Sequence, residues 1–274
     1  MWHVRTAVST SQDPHPAAAI RRVIDERAVH VVYQPVVEAV TGKVFAYEAL
    51  VRSSSPDFDG PSGLFAAAVT HSCAGELGRL IRELAVEGCG DHPLFLNIHP
   101  VELDDRWLIQ VDDPVFRHDH AVFLETTEGV PLSHFRMCQA VLSELRSRGI
   151  ALVVDDLGAG YSNLKYIADL QPRIVKLDRA LITGLALNTR LFRLVAGIVA
   201  LCHELDALVV AEGVETAEEL EAAKEAGADL AQGYLLAFPA FPPPEVSMPT
   251  PIAIGHRPTI RRPHVIQSPA ARFR

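Results

Sequence analysis

Ala151-Leu-Val-Val-Asp-Asp-Leu-Gly-Ala-Gly-Tyr-Ser-Asn-Leu164 is the stretch from which the fold is read. Ile150 to Val154 is an apolar run too short for a helix, two carboxylates follow it, and Gly158 and Gly160 bracket a turn. That pattern predicts a buried strand that stops at a loop, where side chains meet a ligand. Adjacent carboxylates at the mouth of an apolar strand repel each other and resist desolvation, so they imply a cation. The plainer alternative is a turn in which Asp156 caps a helix beginning near Tyr161. The other strand ends decide between these readings.

Downstream, Ser162–Asp169 reads as a helix and Arg173–Leu177 as a strand. Leu187, Leu191, Leu194, Val195, Ile198, Val199 and Cys202 give a long helix with one wide apolar face. Ala207–Glu212 is a strand, Thr216–Ala226 a helix, and Ala228–Leu235 contains the last strand. Upstream, Leu132 to Leu145 recurs at helical spacing from Pro131 until Gly149 stops it. Before it come strands at Ala121–Glu125 and Leu94–Ile98, with a short helix over Val101–Leu108 and helical composition over Leu64–Gly88. Val29–Val37 and Val44–Val51 are strands joined by the tight Thr41-Gly42 turn, which makes them antiparallel, and a short helix is expected over Ile20–Val29. Eight strands, most separated by helices and apolar enough for burial on both faces, predict a mostly parallel sheet. The expected fold is α/β, a closed (β/α)8 barrel, with an open doubly wound sheet as the alternative.

Residues 1–17, polar and broken by Pro14 and Pro16, are expected to be a disordered lead to a domain over 18–241. Eight prolines fall between Ala240 and Arg274 without periodicity, so 242–274 is expected to be a disordered tail rich in Pro and Arg. The formal net charge is −9, and the tail's five arginines against one glutamate leave −13 for the rest. Such acidity argues against a nucleic-acid polymer as partner, and a phosphate ligand would need metal ions to offset the repulsion. Four cysteines without CxxC spacing suit a reducing compartment. No apolar run of about 18 residues and no signal-peptide core is present, so the expected location is cytoplasmic, away from any membrane.

Glu48, Asn97, Glu125, Asp155 with Asp156, Lys176, Glu212 and Gln232 each fall at or near the carboxyl end of an expected strand. In a barrel those ends converge on the rim where active sites lie. Any one of them alone is as well explained by a capped turn or a surface charge; seven strands ending alike are not. Carboxylate and amide oxygens, with no His or Cys among them, suit Mg²⁺ or Mn²⁺. Two ions about 4 Å apart that share a carboxylate are a recurring device for attack of water on phosphorus. Lys176 among so many acids stays protonated and is placed to stabilise phosphoryl charge.

Tyr47-Glu-Ala-Leu-Val-Arg52, Leu96-Asn-Ile98, Leu124-Glu-Thr-Thr-Glu128, the stretch from Asp155 to Leu164, Val175-Lys-Leu-Asp178, Val210-Ala-Glu-Gly-Val-Glu-Thr216 and Gln232-Gly-Tyr-Leu235 together resemble the EAL family of cyclic di-GMP phosphodiesterases. Order and spacing match over residues 20–240. The resemblance implies a TIM-like barrel whose first strand is antiparallel, and hydrolysis of cyclic di-GMP to linear pGpG with two Mg²⁺ or Mn²⁺ ions. It implies that Glu48, Asn97, Glu125 and Asp155 hold one ion, that Asp155, Asp156 and Glu212 hold the second, and that Lys176 orients water and phosphate. Lys176, Glu212 and Asp155 are thereby the catalytic set. Gln34, Leu50, Arg52, Asp178, Glu215 and Gln232 are implied to contact substrate or lie near the metals, and Glu128 to anchor the loop after the paired aspartates. A homodimer is implied too, with Leu157–Ser162 sensing its interface.

The chain departs from the family after Arg52, where Gly63-Leu-Phe-Ala-Ala-Ala stands in a short segment lacking the usual glutamate. His99 replaces a serine of the usual Asn-Leu-Ser, and a structural histidine is the expectation there. Two other functions compete: a silent cyclic di-GMP receptor acting through a protein partner, and an enolase-like barrel abstracting a proton. Receptors of that kind usually lack an acidic ligand, and this chain has all of them. With no sensor or cyclase sequence in these residues, control is expected from expression, oligomerisation, a regulatory partner or the tails.

Overall fold

The computed structural model describes residues 16–104, 107–127, 139–159 and 165–250. Eight strands close into a barrel in sequence order: β1 (Val29–Glu38), β2 (Val44–Ser53), β3 (Leu94–Asn97), β4 (Val122–Thr127), β5 (Ala151–Leu157), β6 (Ile174–Leu177), β7 (Leu208–Ala211) and β8 (Leu230–Ala231). From β2 to β8 neighbours pair in parallel, whereas β1 is antiparallel to both β2 and β8. A hairpin too tight for a crossover forces that reversal. The TIM-like barrel with an antiparallel first strand is therefore the observed fold.

Side chains alternate across the barrel wall. One set faces outward against the helices: Tyr33, Tyr47, Leu94, Leu96, Leu124, Leu152, Val175, Leu177 and Val209 belong to one buried cluster with Leu77, Val195, Val199 and Leu220. The other set fills the interior, where Val36, Ala46, Phe95, Phe123, Val153, Ile174, Val210 and Leu230, with Phe45 and Leu208 below them, form a separate apolar cluster to which every strand contributes. Phe95 and Phe123 stack at 4.6 Å between ring centroids and make its floor.

Helices bring several adjustments to the expected elements. Leu64–Gly88 is two helices, Pro61–Thr70 and Ala74–Gly88, interrupted where Ser72 takes a positive φ. The first helix begins at Pro16, a residue suited to an initial turn, so the expected lead of 17 residues overlaps it. In Thr189–Glu204 the single wide apolar face divides in two: Phe192, Val195, Val199 and Cys202 are buried, while Leu194 and Leu201, with Leu187 and Leu205 just beyond the two ends, are exposed. Ala217–Ala226 opens on a reciprocal cap between Thr216 and Glu219, and Gly227 closes it in the left-handed conformation. Glu128, the Pro131 helix start and much of the expected loop from Leu157 to Ser162 lie outside the described residues. Cys73, Cys89 and Cys202 are buried free thiols, and no described helix is long and apolar enough to cross a membrane.

The chain also stays on the barrel past 242, where a disordered tail was expected. Ala240 pairs with Tyr33 through reciprocal backbone hydrogen bonds, Tyr47 Oη donates to the Pro244 carbonyl at 3.0 Å, and Ser247 N donates to Leu236 O at 3.1 Å. Val246 packs against the outer cluster. The reason is topological: a strand pair joined by a hairpin brings no crossover helix to cover its outer face, and this segment helps to cover it. A chain ending at Phe241 is expected to lose about 1–3 kcal/mol of stability, the cost of one buried aliphatic contact and one buried hydroxyl's partner, as read from urea unfolding.

Candidate active site

Above the apolar floor, each strand changes character two residues nearer the rim. Ala46 is followed by Glu48, Phe95 by Asn97, Phe123 by Glu125, Val153 by Asp155, Ile174 by Lys176, Val210 by Glu212 and Leu230 by Gln232. On the reversed β1 the step runs backwards, from Val36 to Gln34. Because alternate residues share a face, this single step lifts one polar side chain from every strand into the same layer. Beyond Glu48, the same alternation puts Leu50 and Arg52 on the wall toward the rim.

Lys176 is the centre of that layer. Its ammonium, 1% exposed, lies 2.6 Å from Glu212 Oε1, 2.8 Å from Glu125 Oε1, 3.2 Å from Glu48 Oε2 and 3.5 Å from Asp155 Oδ1. Phe95 lies below it, with the ring centroid 5.9 Å away. Glu48 is held from two sides: Asn97 Nδ2 donates to Oε1 at 2.9 Å and Gln232 Nε2 to Oε2 at 2.6 Å. Gln232 Nε2 also reaches Gln34 Oε1 at 3.2 Å, and Gln34 Nε2 donates to Ala237 O at 3.2 Å. Gly233 permits this approach, since a Cβ there would stand 2.1 Å from Val214 O.

The paired aspartates face the site together because β5 is irregular. Its register with β6 shifts between Val154 and Leu157, and Asp156 takes φ 58. In a regular strand successive side chains point to opposite faces; the bulge turns both carboxylates inward. Asp156 N donates to Asp155 Oδ1 at 2.9 Å. Oxygen atoms of Asp155, Asp156 and Glu212 all lie within 4.8 Å of one another.

Five carboxylates share one ammonium here, so the electrostatics are unbalanced. Burial opposes the Lys176 charge, but Asp155, Glu125, Glu212 and Glu48 outweigh it and hold that ammonium well above its ordinary pKa. Burial likewise raises Glu48, yet Lys176 and the donors of Gln232 and Asn97 bring it below the usual carboxylate value. Glu125 goes the other way: burial, then repulsion from Glu48, push it well above the ordinary range. Burial, with repulsion from Asp155 and Glu48, pushes Glu212 up to about 8 against the pull of Lys176. Asp156 is pushed up to about 6 by burial, then by Asp155 and Asp178. Two buried oxygens, Glu125 Oε2 and Gln232 Oε1, have no hydrogen-bonding partner. Surplus carboxylates, orphaned oxygens and an all-oxygen donor set are what a hard divalent cation neutralises.

Two cavities open over this layer and share Glu48 and Leu50. One, of about 250 Å³, is lined by Gln34, Asp178, Glu212, Glu215, Gln232 and Tyr234 among others. The other, of about 440 Å³, has Arg52, Phe65, Asn97 and His99 in its wall. Each residue read from the sequence as touching substrate lines one or the other. Asp178 caps Ala180 N at 2.8 Å, and Glu215 pairs with Arg179 at 2.9 Å. His99, in that wall, has local partners as well: its ring stacks on Phe65 and its Nδ1 accepts from Val101 N at 3.3 Å.

A buried charge cluster under the larger cavity escaped the sequence reading. Arg82, 1% exposed, donates through Nη1 to Glu102 Oε2 at 2.5 Å and through Nη2 to Asp113 Oδ2 at 2.8 Å. Glu102 Oε1 accepts from His99 N at 2.9 Å, so the network fixes the chain just beyond Asn97. Gly78 makes room for Glu102, whose Oε2 would lie 2.0 Å from a Cβ there.

The EAL domain family profile matches residues 17–239. A cyclic di-GMP phosphodiesterase of Pseudomonas aeruginosa is 30% identical over 230 residues, covering 79% of this chain and 39% of that protein. Klebsiella pneumoniae BlrP1 in a calcium and cyclic di-GMP complex superposes with a TM-score of 0.70 at 30% identity, over 80% of this chain and 58% of that one. Its manganese and cyclic di-GMP complex gives 0.69 at 30% identity, over 80% and 57%. The chain spans about a third of the length of the curated relatives it matches.

Proposed function

Because the chain belongs to the EAL domain family, we propose that it hydrolyses one phosphodiester of cyclic di-GMP to linear pGpG, using two Mg²⁺ or Mn²⁺ ions. The observation that carries this reading is the Lys176 layer: a buried ammonium among five carboxylates, with an acid at every position the resemblance assigns an acidic metal ligand. Glu48, Asn97, Glu125 and Asp155 would hold one ion and Asp155, Asp156 and Glu212 the other. When bound, the ions supply Lewis-acid charge and lower the pKa of water. In the reaction a water oxygen bonds to phosphorus, one P–O ester bond breaks, and the departing sugar hydroxyl takes a proton. Lys176 keeps a fixed positive charge beside the attacked phosphate and its water. Glu212 and Asp155, both against that ammonium, complete the catalytic set. Gln34, Leu50, Arg52, Asp178, Glu215 and Gln232 position the dinucleotide across the paired cavities, and Glu128 anchors the loop after Asp156. The buried thiols accord with action in the cytoplasm.

We also propose a homodimer. Leu187, Leu191, Leu194, Ile198, Leu201 and Leu205 alternate four and three residues apart along the helix Thr189–Glu204 and its ends, the spacing of a coiled-coil seam. Exposed Arg190 and Arg193 flank its start, and exposed Glu204 and Asp206 its end. Antiparallel pairing of two copies sets each basic end against an acidic one. Replacing Leu194 and Leu201 together by Glu is expected to yield a monomer by analytical ultracentrifugation.

The function is tested by incubating purified protein with cyclic di-GMP and Mg²⁺ or Mn²⁺ and resolving pGpG by chromatography. Accumulation of pGpG supports the phosphodiesterase. Tight binding with no product transfers the protein to the receptor class.

A further inference from the structure

The floor, the polar layer and the carboxylates of the smaller cavity leave one of its wall residues without a role. Tyr234 lines this cavity beside Gln232 and Glu215, and its side chain is half exposed. Phe238 stacks behind it, ring centroids 4.5 Å apart at 26°, and is itself 66% exposed. Two large aromatic rings left open to solvent and stacked on each other, at the mouth of a polar cavity, are costly unless something covers them.

Their position is fixed rather than accidental. Gly233 is pressed against Val214, Leu235 N donates to Val214 O at 3.1 Å, and Gln34 holds Ala237 O from the barrel interior. Leu236 is buried, so the chain between the two rings is anchored on the barrel. Phe238 stacks against Tyr234, and Tyr234 in turn lines the cavity.

Building on the proposed substrate, we infer that one nucleobase of the dinucleotide stacks on Tyr234, and that Phe238 is a positioning residue that backs the ring. A purine offers a broad π-face, and such stacking is tolerant of base identity, so the pair contributes affinity rather than selection between bases. Cyclic di-GMP carries its phosphates toward the carboxylate layer when one base lies on this wall, since the cavity shared with Glu212 and Gln232 is continuous with it.

The test measures cyclic di-GMP binding calorimetrically with Ca²⁺ replacing Mg²⁺, on wild type, Tyr234→Phe, Tyr234→Ala and Phe238→Ala. Tyr234→Ala is expected to weaken binding by roughly five- to a hundred-fold, the range found when a base-stacking ring is truncated. Phe238→Ala weakens it less, and Tyr234→Phe, which keeps the ring, restores binding to within about threefold of wild type. With Mg²⁺, the loss should fall on KM more than on kcat. Unchanged binding in both alanine variants overturns the inference while the proposed function stands. Equal losses in Tyr234→Phe and Tyr234→Ala also overturn it, because the contact is then the hydroxyl's. Wild-type protein that binds no cyclic di-GMP overturns the function and the inference together.

Discussion

Lys176→Met is expected to lower cyclic di-GMP turnover by roughly two or more orders of magnitude, the loss seen when one preorganised electrostatic contact is removed. Methionine keeps most of the lysine stem above Phe95 and deletes the charge. Ligand binding measured with Ca²⁺ should weaken much less, because the contacts proposed for the dinucleotide come mainly from the cavity walls. The substitution also leaves Glu48, Glu125, Asp155 and Glu212 without the cation they surround. Breaking a buried ion network from one side is costly, so in chelator the variant should melt well below wild type, and saturating Mg²⁺ should recover some of the gap. Normal hydrolysis by Lys176→Met would remove the lysine from its assigned place in the chemistry.

Asp155→Asn and Glu212→Gln should each abolish turnover and weaken uptake of divalent ions, with the barrel intact; Glu48→Ala belongs with them. For Glu212 the effect on the metal-free fold has the opposite sign from the usual loss of a charge. Glu212 titrates near 8 in the folded chain, above its ordinary value of 4.5. The folded state therefore binds the extra proton, and stability contributed by this group is present at low pH and is lost as pH rises from 4.5 through about 8. Glutamine cannot ionise, so in chelator at about pH 9, above that titration, Glu212→Gln should melt no lower than wild type. Metal-dependent stabilisation, measured by adding Mg²⁺ to the same samples, should shrink in the variant. Near wild-type activity at saturating Mg²⁺ would take either acid out of the metal-binding set.

Much of this arrangement is legible before any coordinates. Apolar runs ending in Glu125, Asp155, Lys176 and Glu212 announce buried strands with a chemical end, and the Thr41-Gly42 turn fixes the direction of the first. Less visible is the regular step from Phe123 to Glu125 or Val153 to Asp155, because a short buried strand looks uniformly apolar until its two faces are told apart. The bulge at Asp156 cannot be read at all from two adjacent aspartates, which fit a capped turn equally well. Glu102 and Asp113 lie 20 and 31 positions from Arg82. Arg82 sits in a run that resembles the wet side of an amphipathic helix, and only Gly78 hints at a close neighbour. Composition misleads in the segment after Ala240: prolines deny it periodic structure, but Val246 needs only one apolar contact and Tyr47 only one carbonyl.

The barrel is thinnest around its last strand, where β8 meets each of its neighbours through two residue pairs. β1 and β8 meet through only two residue pairs, Val37 with Ala231 and Glu38 with Leu230, whereas β1 and β2 share a register from Val29 to Ser53. Gln34 and Gln232, joined by a single hydrogen bond, stand on opposite sides of that seam. Local opening follows the weakest set of backbone bonds, so the barrel should breathe around β8 first, like a cuff with one loose button. Each such opening would separate the amides of Gln34 and Gln232, and a ligand spanning them would act as a clasp. Occupancy of the site and integrity of the cylinder are then one equilibrium.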